Sequence, residues 1–247
     1  MASCPHCGFG VAAGAVACPL CRAAIQGDTR VAGRAGDVIA WEDPERRFPT
    51  NFLDTLRESL FAPGRFFARA PWEAPLARPI LYYLILAIAS AFFTLVWTAA
   101  GVEPTGLEDF EALQIRREAF IFLNFTLSPF IALLALAVSS LVLHLLALML
   151  SPQRRPLGAT ARAFCYSAGP WLLTIVPWAG ALAGGAWAVV LLVFGIREAH
   201  RTTTGRAVAI VLLPLALLAA FAAALFVLAL VLMSRLDQLP GGRLPFP

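Results

Sequence analysis

The chain has 247 residues, of which 60% are hydrophobic and 14% are charged, with a formal net charge of +4 at pH 7. A soluble domain has about 45–50% apolar and about 25% charged residues, so this composition excludes an ordinary soluble protein and indicates a membrane protein. The arginines form no dense basic run of the kind that binds nucleic acid, so we expect no nucleic-acid partner.

The chain begins with two Cys-x-x-Cys pairs, Cys4/Cys7 and Cys18/Cys21, which are separated by ten residues. Each pair can present two thiolates from one tight turn, and two pairs complete a tetrahedral four-sulfur site for Zn²⁺. So short a segment buries too little surface to fold alone, so the metal would supply the folding free energy. We therefore predict a zinc ribbon over residues 1–25 with Zn²⁺ as its cofactor. A redox dithiol and two structural disulfides are the alternatives.

Two segments separate the cysteines from the first hydrophobic run. Residues 26–50 mix glycine, proline and both charges without periodicity, which predicts a flexible linker. Residues 51–78 begin with apolar side chains on one helical face, namely Phe52, Leu53, Leu56, Leu60 and Phe61. An aromatic and basic patch follows, made of Arg65, Phe66, Phe67, Arg69, Trp72 and Arg78. This pattern predicts an interfacial amphipathic helix on anionic lipid, or a helix packed on the protein's own membrane bundle.

Residues 79–235 contain five hydrophobic segments, at 80–100, 120–150, 163–179, 182–196 and 207–233. At about 1.5 Å per residue, a helix of about 20 residues crosses the hydrocarbon core, so we predict an all-α fold with five transmembrane helices. Pro129 predicts either a kink in the second segment or the start of its span. The third and fourth segments are short and meet at Gly180, so they form a transmembrane hairpin or a re-entrant pair. Residues 236–247 form a short tail.

Charged residues in the loops predict the orientation. The first loop is acidic, with Glu103, Glu108, Asp109, Glu111 and Glu118 against Arg116 and Arg117. The loops after the second and fourth segments are basic, with Arg154, Arg155, Arg162, Arg197, Arg201 and Arg206. The positive-inside rule therefore places the N-terminus and the basic loops in the cytoplasm and the C-terminal tail outside, in a multi-pass protein of the inner (plasma) membrane.

Some residues of this region are candidates for specific roles. The six arginines of the basic loops are possible contacts for lipid phosphate, although topology alone would also explain them. His144 is an ionisable group in an apolar segment and thus a possible intramembrane polar site, either neutral and bonded to a neighbour or handling a proton or ligand. Gly180 and Gly184 predict close packing of the hairpin.

The sequence contains none of the common catalytic motifs. There is no Gly-x-Ser-x-Gly elbow, no His-Glu-x-x-His and no phosphate-binding glycine loop. His6, His144 and His200 lie far apart in the predicted topology. We therefore predict that the protein is not an enzyme.

Residues 159–214 resemble the Yip domain family, which is named for Ypt/Rab-interacting proteins. The features that support the resemblance are Arg162, Tyr166, Pro170, the turn at 177–180, Trp187, and the stretches GIREAH and GRA at 195–200 and 205–207. Upstream, LFAPGRFFARA resembles the element that precedes the first span in bacterial members. The resemblance covers roughly residues 50–235. It implies five membrane helices, a cytoplasmic N-terminal region and no catalytic activity.

The resemblance also bears on function. Eukaryotic relatives are associated with Rab GTPases and vesicle traffic, and some bacterial relatives have a zinc ribbon at the front. We assign no residue here to Rab binding. We predict a membrane protein that contacts lipids and organises the membrane or recruits a protein partner at the cytoplasmic face through its ribbon. The alternatives are lipid binding or translocation, and, less favoured because few polar residues lie in the spans, transport of a small molecule.

Overall fold

The computed structural model describes residues 2–3, 10–11, 38–102, 117–152 and 155–236. The chain divides into two units, Met1–Val38 and Ile39–Pro247. In the first unit, strand β1 (Ala2–Ser3) pairs antiparallel with β2 (Gly10–Val11). The predicted zinc ligands, Cys4, Cys7, Cys18 and Cys21, lie outside the described residues, as does His6.

The second unit is helical over its described part. Its helices are α1 (Thr50–Phe61), α2 (Pro63–Ala68), α3 (Ala77–Ala99), α4 (Arg117–Leu150), α5 (Leu157–Tyr166), a 3₁₀ helix (Gly169–Ile175), α6 (Ala179–Ala199) and α7 (Thr204–Leu236). Within the described residues, four helical segments are long and apolar enough to cross a membrane: Ala77–Ala99, Phe122–Leu150, Ala179–Ala199 and Thr204–Leu232. Both α4 and α7 continue through an internal proline, Pro129 and Pro214.

The third predicted segment is not one continuous helix. The α-helix ends at Tyr166, and after a short turn the chain continues as the 3₁₀ helix, which has Pro170 in its first turn. Proline has no N–H to donate and its ring clashes with the carbonyl four residues earlier, which here belongs to Tyr166. Residues 163–179 are therefore not a single helix and are not among the four segments above, so the predicted fifth transmembrane helix is not confirmed.

The broken segment formed by α5 and the 3₁₀ helix packs along α6. A Cβ on Gly195 would lie 2.9 Å from the Cβ of Ala163, and one on Gly184 would lie 2.6 Å from the carbonyl oxygen of Pro170. A Cβ on Gly180 would overlap the backbone of the 3₁₀ helix. The contacts thus move from the end of α6 to its start as the chain advances, so the two elements are antiparallel. The close approach predicted at Gly180 and Gly184 is confirmed.

Hydrogen bonds and an ion pair distinguish two ends of the helix bundle. At one end, which we call the distal end, the Trp97 indole donates to the carbonyl of Thr174 at 3.2 Å and the Trp178 indole donates to that of Val102 at 3.1 Å. These bonds join the end of α3, the end of the 3₁₀ helix and the start of α6. At the other, proximal end, Arg155 pairs with Glu73 at 2.7 Å, just before α5 and α3 begin.

Residues 39–49, which we call the strap, are packed against the bundle. Ile39, Ala40 and Trp41 are buried. The Trp41 indole donates to the carbonyl of Arg78 at 2.7 Å, and the Arg78 guanidinium donates back to the carbonyl of Trp41 at 2.9 Å. The prediction of a flexible linker is therefore wrong for residues 39–42, whereas residues 44–49 of the strap are exposed. Residues 26–37 of that linker lie outside the described residues.

Helices α1 and α2 also pack on the bundle. Phe52 is buried in α1, whereas Leu53 and Phe61 of the predicted apolar face are exposed, Phe61 to 82%. Phe66 and Phe67 of α2 are fully buried. For these two residues of the aromatic and basic patch, the structure therefore supports the alternative of packing on the protein's own bundle, because they lie inside the protein and cannot insert into lipid.

The close packing of α6 yields a test with a matched control one turn away. Replacing Gly180 by alanine should lower stability by about 1–3 kcal/mol, because the new methyl group must displace the backbone of the 3₁₀ helix. Gly185→Ala should leave stability unchanged or raised, since nothing lies within 4 Å of its Cβ position and alanine favours helix. Unfolding in detergent micelles, followed by circular dichroism, measures both. Equal stability of the two variants would contradict this packing.

Candidate functional site

The main polar site of the bundle is built on a buried arginine. Arg162 of α5 is fully buried and forms an ion pair with Glu42 of the strap. Its guanidinium also donates to the carbonyls of Ala74 at 2.7 Å and Pro75 at 2.8 Å. The Tyr166 hydroxyl donates to the same carboxylate oxygen of Glu42 at 2.6 Å. We call Glu42, Arg162 and Tyr166 the clamp.

The clamp fixes the strap to the membrane domain. Arg162 and Tyr166 are four residues apart, so α5 presents both on one face, where a single carboxylate can accept from both. A buried charge is tolerated only when it is paired and hydrogen-bonded, and here the carboxylate and two carbonyls supply those partners. Because Arg162 has no exposed surface, it cannot reach a lipid phosphate. That part of the phosphate-contact prediction is wrong.

The other predicted phosphate contacts are spread around the proximal end. Arg155 pairs with Glu73 at 2.7 Å. Arg197 pairs with Glu198 at 2.7 Å, and its guanidinium lies 5.0 Å from the ring centroid of Phe194. Arg201 and Arg206 are exposed, and Arg154 lies outside the described residues. Of this set, Arg201 and Arg206 are therefore the described arginines best placed for an anionic ligand.

The structure brings together two histidines that the predicted topology kept apart. His144 Nδ1 of α4 lies 3.1 Å from Thr160 Oγ1 of α5, and the Nε2 atom of His200, at the end of α6, lies 2.9 Å from the same oxygen. The two imidazole centroids are 5.9 Å apart. His144 thus belongs to a bridge between three helices, which we call the His–Thr–His bridge.

The chemistry of the His–Thr–His bridge is that of a neutral network. A threonine hydroxyl has one proton, so Thr160 can donate to one imidazole and accept from the other. Burial, together with the smaller effects of His144 and Arg155, lowers the pKa of His200 to about 4, so this imidazole is neutral at pH 7. The burial and the nearby Arg155 that lower this pKa also disfavour a cation bound beside His200. Among the described residues, no group of three or more His, Cys, Asp or Glu side chains could hold a metal ion.

The membrane helices and their close packing agree with the comparison to protein families. The model of the Yip1 domain matches residues 57–234. The chain belongs to the Yip1 domain family. Comparisons with the curated proteins and with the solved structures found no match. The Yip1 domain of this chain is a multi-pass membrane domain, since its helices include the four segments long and apolar enough to span.

The clamp crosses the boundary of the Yip1 domain. Arg162 and Tyr166 lie inside the matched residues, whereas Glu42 and the rest of the strap precede them. Arg162 and Tyr166 could have been identified from the sequence. An arginine in an apolar helix requires a partner, and the tyrosine follows it by one helical turn. No local signal in the sequence indicates Glu42.

The contribution of the Arg162–Glu42 ion pair to the free energy of unfolding can be compared with that of a surface ion pair. Arg162→Met should destabilise the Yip1 domain by about 3–5 kcal/mol, because it leaves the Glu42 carboxylate buried without its cation. Arg155→Gln should cost less than about 1 kcal/mol, because its partner Glu73 is largely exposed. Denaturant unfolding in micelles measures both variants.

A double-mutant cycle separates the pair from the packing of the arginine stem. The variant with both Arg162→Met and Glu42→Gln should recover part of the loss, since it removes the uncompensated charge. If Arg162→Met is no more destabilising than Arg155→Gln, the clamp does not hold the strap.

Proposed function

We propose that this Yip1 domain protein is a non-catalytic membrane protein that presents an N-terminal zinc ribbon at the cytoplasmic face of the plasma membrane and recruits a protein partner there. The observation that supports this proposal is the clamp. The chain that follows the cysteine segment is held at Glu42 by a buried ion pair and at Trp41 by two hydrogen bonds. In the sequence, a ribbon over residues 1–25 is thus followed closely by Trp41 and Glu42, which are fixed to the membrane domain.

The proposed metal site has two sources of support. Its donor set, Cys4, Cys7, Cys18 and Cys21, matches the four thiolates that structural Zn²⁺ prefers. The pairing of Ser3 with Gly10 brings the chain back on itself on either side of residues 4–9, which contain the first Cys-x-x-Cys pair. A short hairpin of this kind suits a metal knuckle, in which two cysteines approach one ion from a tight turn.

We further propose that the broken segment crosses the membrane, which gives five crossings. Its α-helix of 10 residues and its 3₁₀ helix of 7 residues would together measure about 29 Å, close to the roughly 30 Å of the hydrocarbon core. It begins at the proximal end and finishes at the distal end, antiparallel to α6. The positive-inside rule then places the proximal end, with Arg155, Arg197 and Arg201, in the cytoplasm.

Lipid contact at the proximal end is a second candidate function, supported by the exposed surface of α1. Leu53, Arg57 and Phe61 follow one another at intervals of four residues and are all exposed. An exposed stripe of this composition suits the membrane interface, where the apolar side chains insert and the guanidinium stays at the headgroups. Arg201 and Arg206 are exposed as well and could meet anionic headgroups.

The number of crossings can be tested with reporter fusions. An alkaline phosphatase domain, active only outside the cytoplasm, fused after residue 247 should be active, whereas the same domain fused before residue 1 should be inactive. Five crossings place the two termini on opposite sides of the membrane, whereas four place them on the same side. Matching activity of the two fusions would therefore contradict the fifth crossing.

The ribbon proposal predicts a metal content and a set of bound proteins that change together. The purified full chain should contain about one zinc per molecule, and Cys4→Ser with Cys18→Ser should abolish it. Crosslinking in native membranes, followed by affinity purification, should lose its specific partners in the same variant.

The control for both readouts is Cys165→Ser, because Cys165 is a buried free cysteine of the bundle. It should keep both the zinc and the partners. Absence of zinc from the unaltered chain would refute the metal site. Identical partners with and without the ribbon cysteines would refute recruitment through the ribbon.

A further inference from the structure

A cavity of about 540 Å³ lies between α3 and α4, with Trp171 of the 3₁₀ helix at its wall. Polar side chains line it from both helices: Ser90, Thr94 and Thr98 at intervals of four residues on α3, and Asn124 and Ser128 at the same interval on α4. None of the lining residues that the structure describes is charged. The cavity therefore suits a ligand whose buried part is polar but neutral, because a charged group would find no counter-charge.

The polar and apolar linings lie at different depths. Thr98 and Asn124 are nearest the distal end, while Ala87, Ala132 and Ala135 line the opposite part. The Tyr83 hydroxyl donates to the carbonyl of Ala132 at 3.1 Å and so joins the two helices at this deep part. The lining extends about 22 Å along α3, from Tyr83 to Thr98, and about 17 Å along α4, from Asn124 to Ala135, against roughly 30 Å for the hydrocarbon core. The cavity thus spans at least the leaflet at the distal end.

The cavity opens sideways onto the outer surface of the bundle. Thr94 and Ile131 line it and are also exposed, Ile131 to 54%. Their exposed neighbours on α3 are Phe92 and Val96, which are lipid-facing in a membrane-spanning helix. A molecule in the cavity would therefore be continuous with the lipid of the leaflet at the distal end.

We propose that this cavity binds a single membrane phospholipid of that leaflet. One acyl chain lies on the alanine-lined deep part, and a glycerol ester oxygen accepts a hydrogen bond from the exposed hydroxyl of Thr94. Ester oxygens only accept, and hydroxyl groups can donate to them. Ser90 Oγ lies 3.2 Å from Thr174 Oγ1, whose single proton is donated to the carbonyl of Trp171 at 2.7 Å, so Thr94 and not Ser90 is the donor for the ester.

The lining favours this occupant over two others. An apolar helix of a second copy would cover the hydroxyl of Thr94 without offering it a partner, which costs free energy in hydrocarbon. A water-soluble solute would have to reach the cavity through lipid, since the opening faces the side of the bundle. The proposal goes beyond ribbon recruitment and is independent of it, because every lining residue lies within the Yip1 domain.

The test uses the full chain in nanodiscs of phosphatidylethanolamine and phosphatidylglycerol that contain a phospholipid with a photoreactive diazirine on its acyl chain. Crosslinked peptides should concentrate at the cavity faces of residues 87–98 and 124–135. Ala91→Phe fills the cavity and should abolish this labelling. Ala137→Phe, at an exposed position of α4 outside the lining, is the matched control and should keep it.

A second variant keeps the proposal testable if Ala91→Phe fails to fold. Thr94→Val keeps the side-chain volume and removes one hydroxyl, so native mass spectrometry should show fewer chains that retain a phospholipid, at unchanged thermal stability. Even labelling of all exposed helices, or labelling that survives Ala91→Phe, would mean ordinary boundary lipid and would overturn the proposal. Occupation by protein, detected as crosslinks from these residues to a second copy or to another segment of the chain, would overturn it as well.

Discussion

The fold of the proximal end depends on satisfying one buried guanidinium. Arg162 has no exposed surface, so α5 can occupy its place only when a carboxylate and further acceptors reach it. These come from two separate stretches of chain, Glu42 in the strap and the carbonyls of Ala74 and Pro75 between α2 and α3. The strap, that connection and α5 are therefore coupled, because displacing any one of them leaves a charge buried without its partners. This coupling gives an otherwise apolar bundle one specific arrangement at its proximal end.

The interruption of the third segment has consequences across the bundle. Pro170 stops the α-helix, and the narrower 3₁₀ helix that follows allows the backbone of α6 to approach at Gly180 and Gly184. Trp171 lines the cavity between α3 and α4 and also a second cavity of about 370 Å³ between α4, α6 and α7. The same irregular element thus packs closely against α6 at Gly180 and Gly184 and contributes to the walls of both cavities.

Local features of the fold were predictable from the sequence, and contacts between distant residues were not. Hydrophobic runs indicate spans, and a Gly-xxx-Gly pair indicates close packing, because each depends on neighbouring residues alone. A proline in an apolar segment leaves the local outcome open, since α4 continues through Pro129 whereas α5 ends before Pro170. The partner of Arg162, Glu42, lies 120 residues away in the sequence. The chain has 15 acidic residues, so knowing that Arg162 needs a carboxylate does not identify which one supplies it. The meeting of His144 with His200 likewise depends on how three helices pack.

The polar groups of the bundle differ in kind between its two ends, and this difference separates their roles. At the proximal end the strap, α5 and the helix ends bring arginines and carboxylates together, and exposed Arg201 and Arg206 add positive charge. Such charge favours the anionic cytoplasmic leaflet and electrostatic contact with its headgroups. Toward the distal end, the residues of the α3–α4 cavity that the structure describes have hydroxyl and amide groups without charge. Neutral donors would bind the ester region of a lipid without selecting its headgroup.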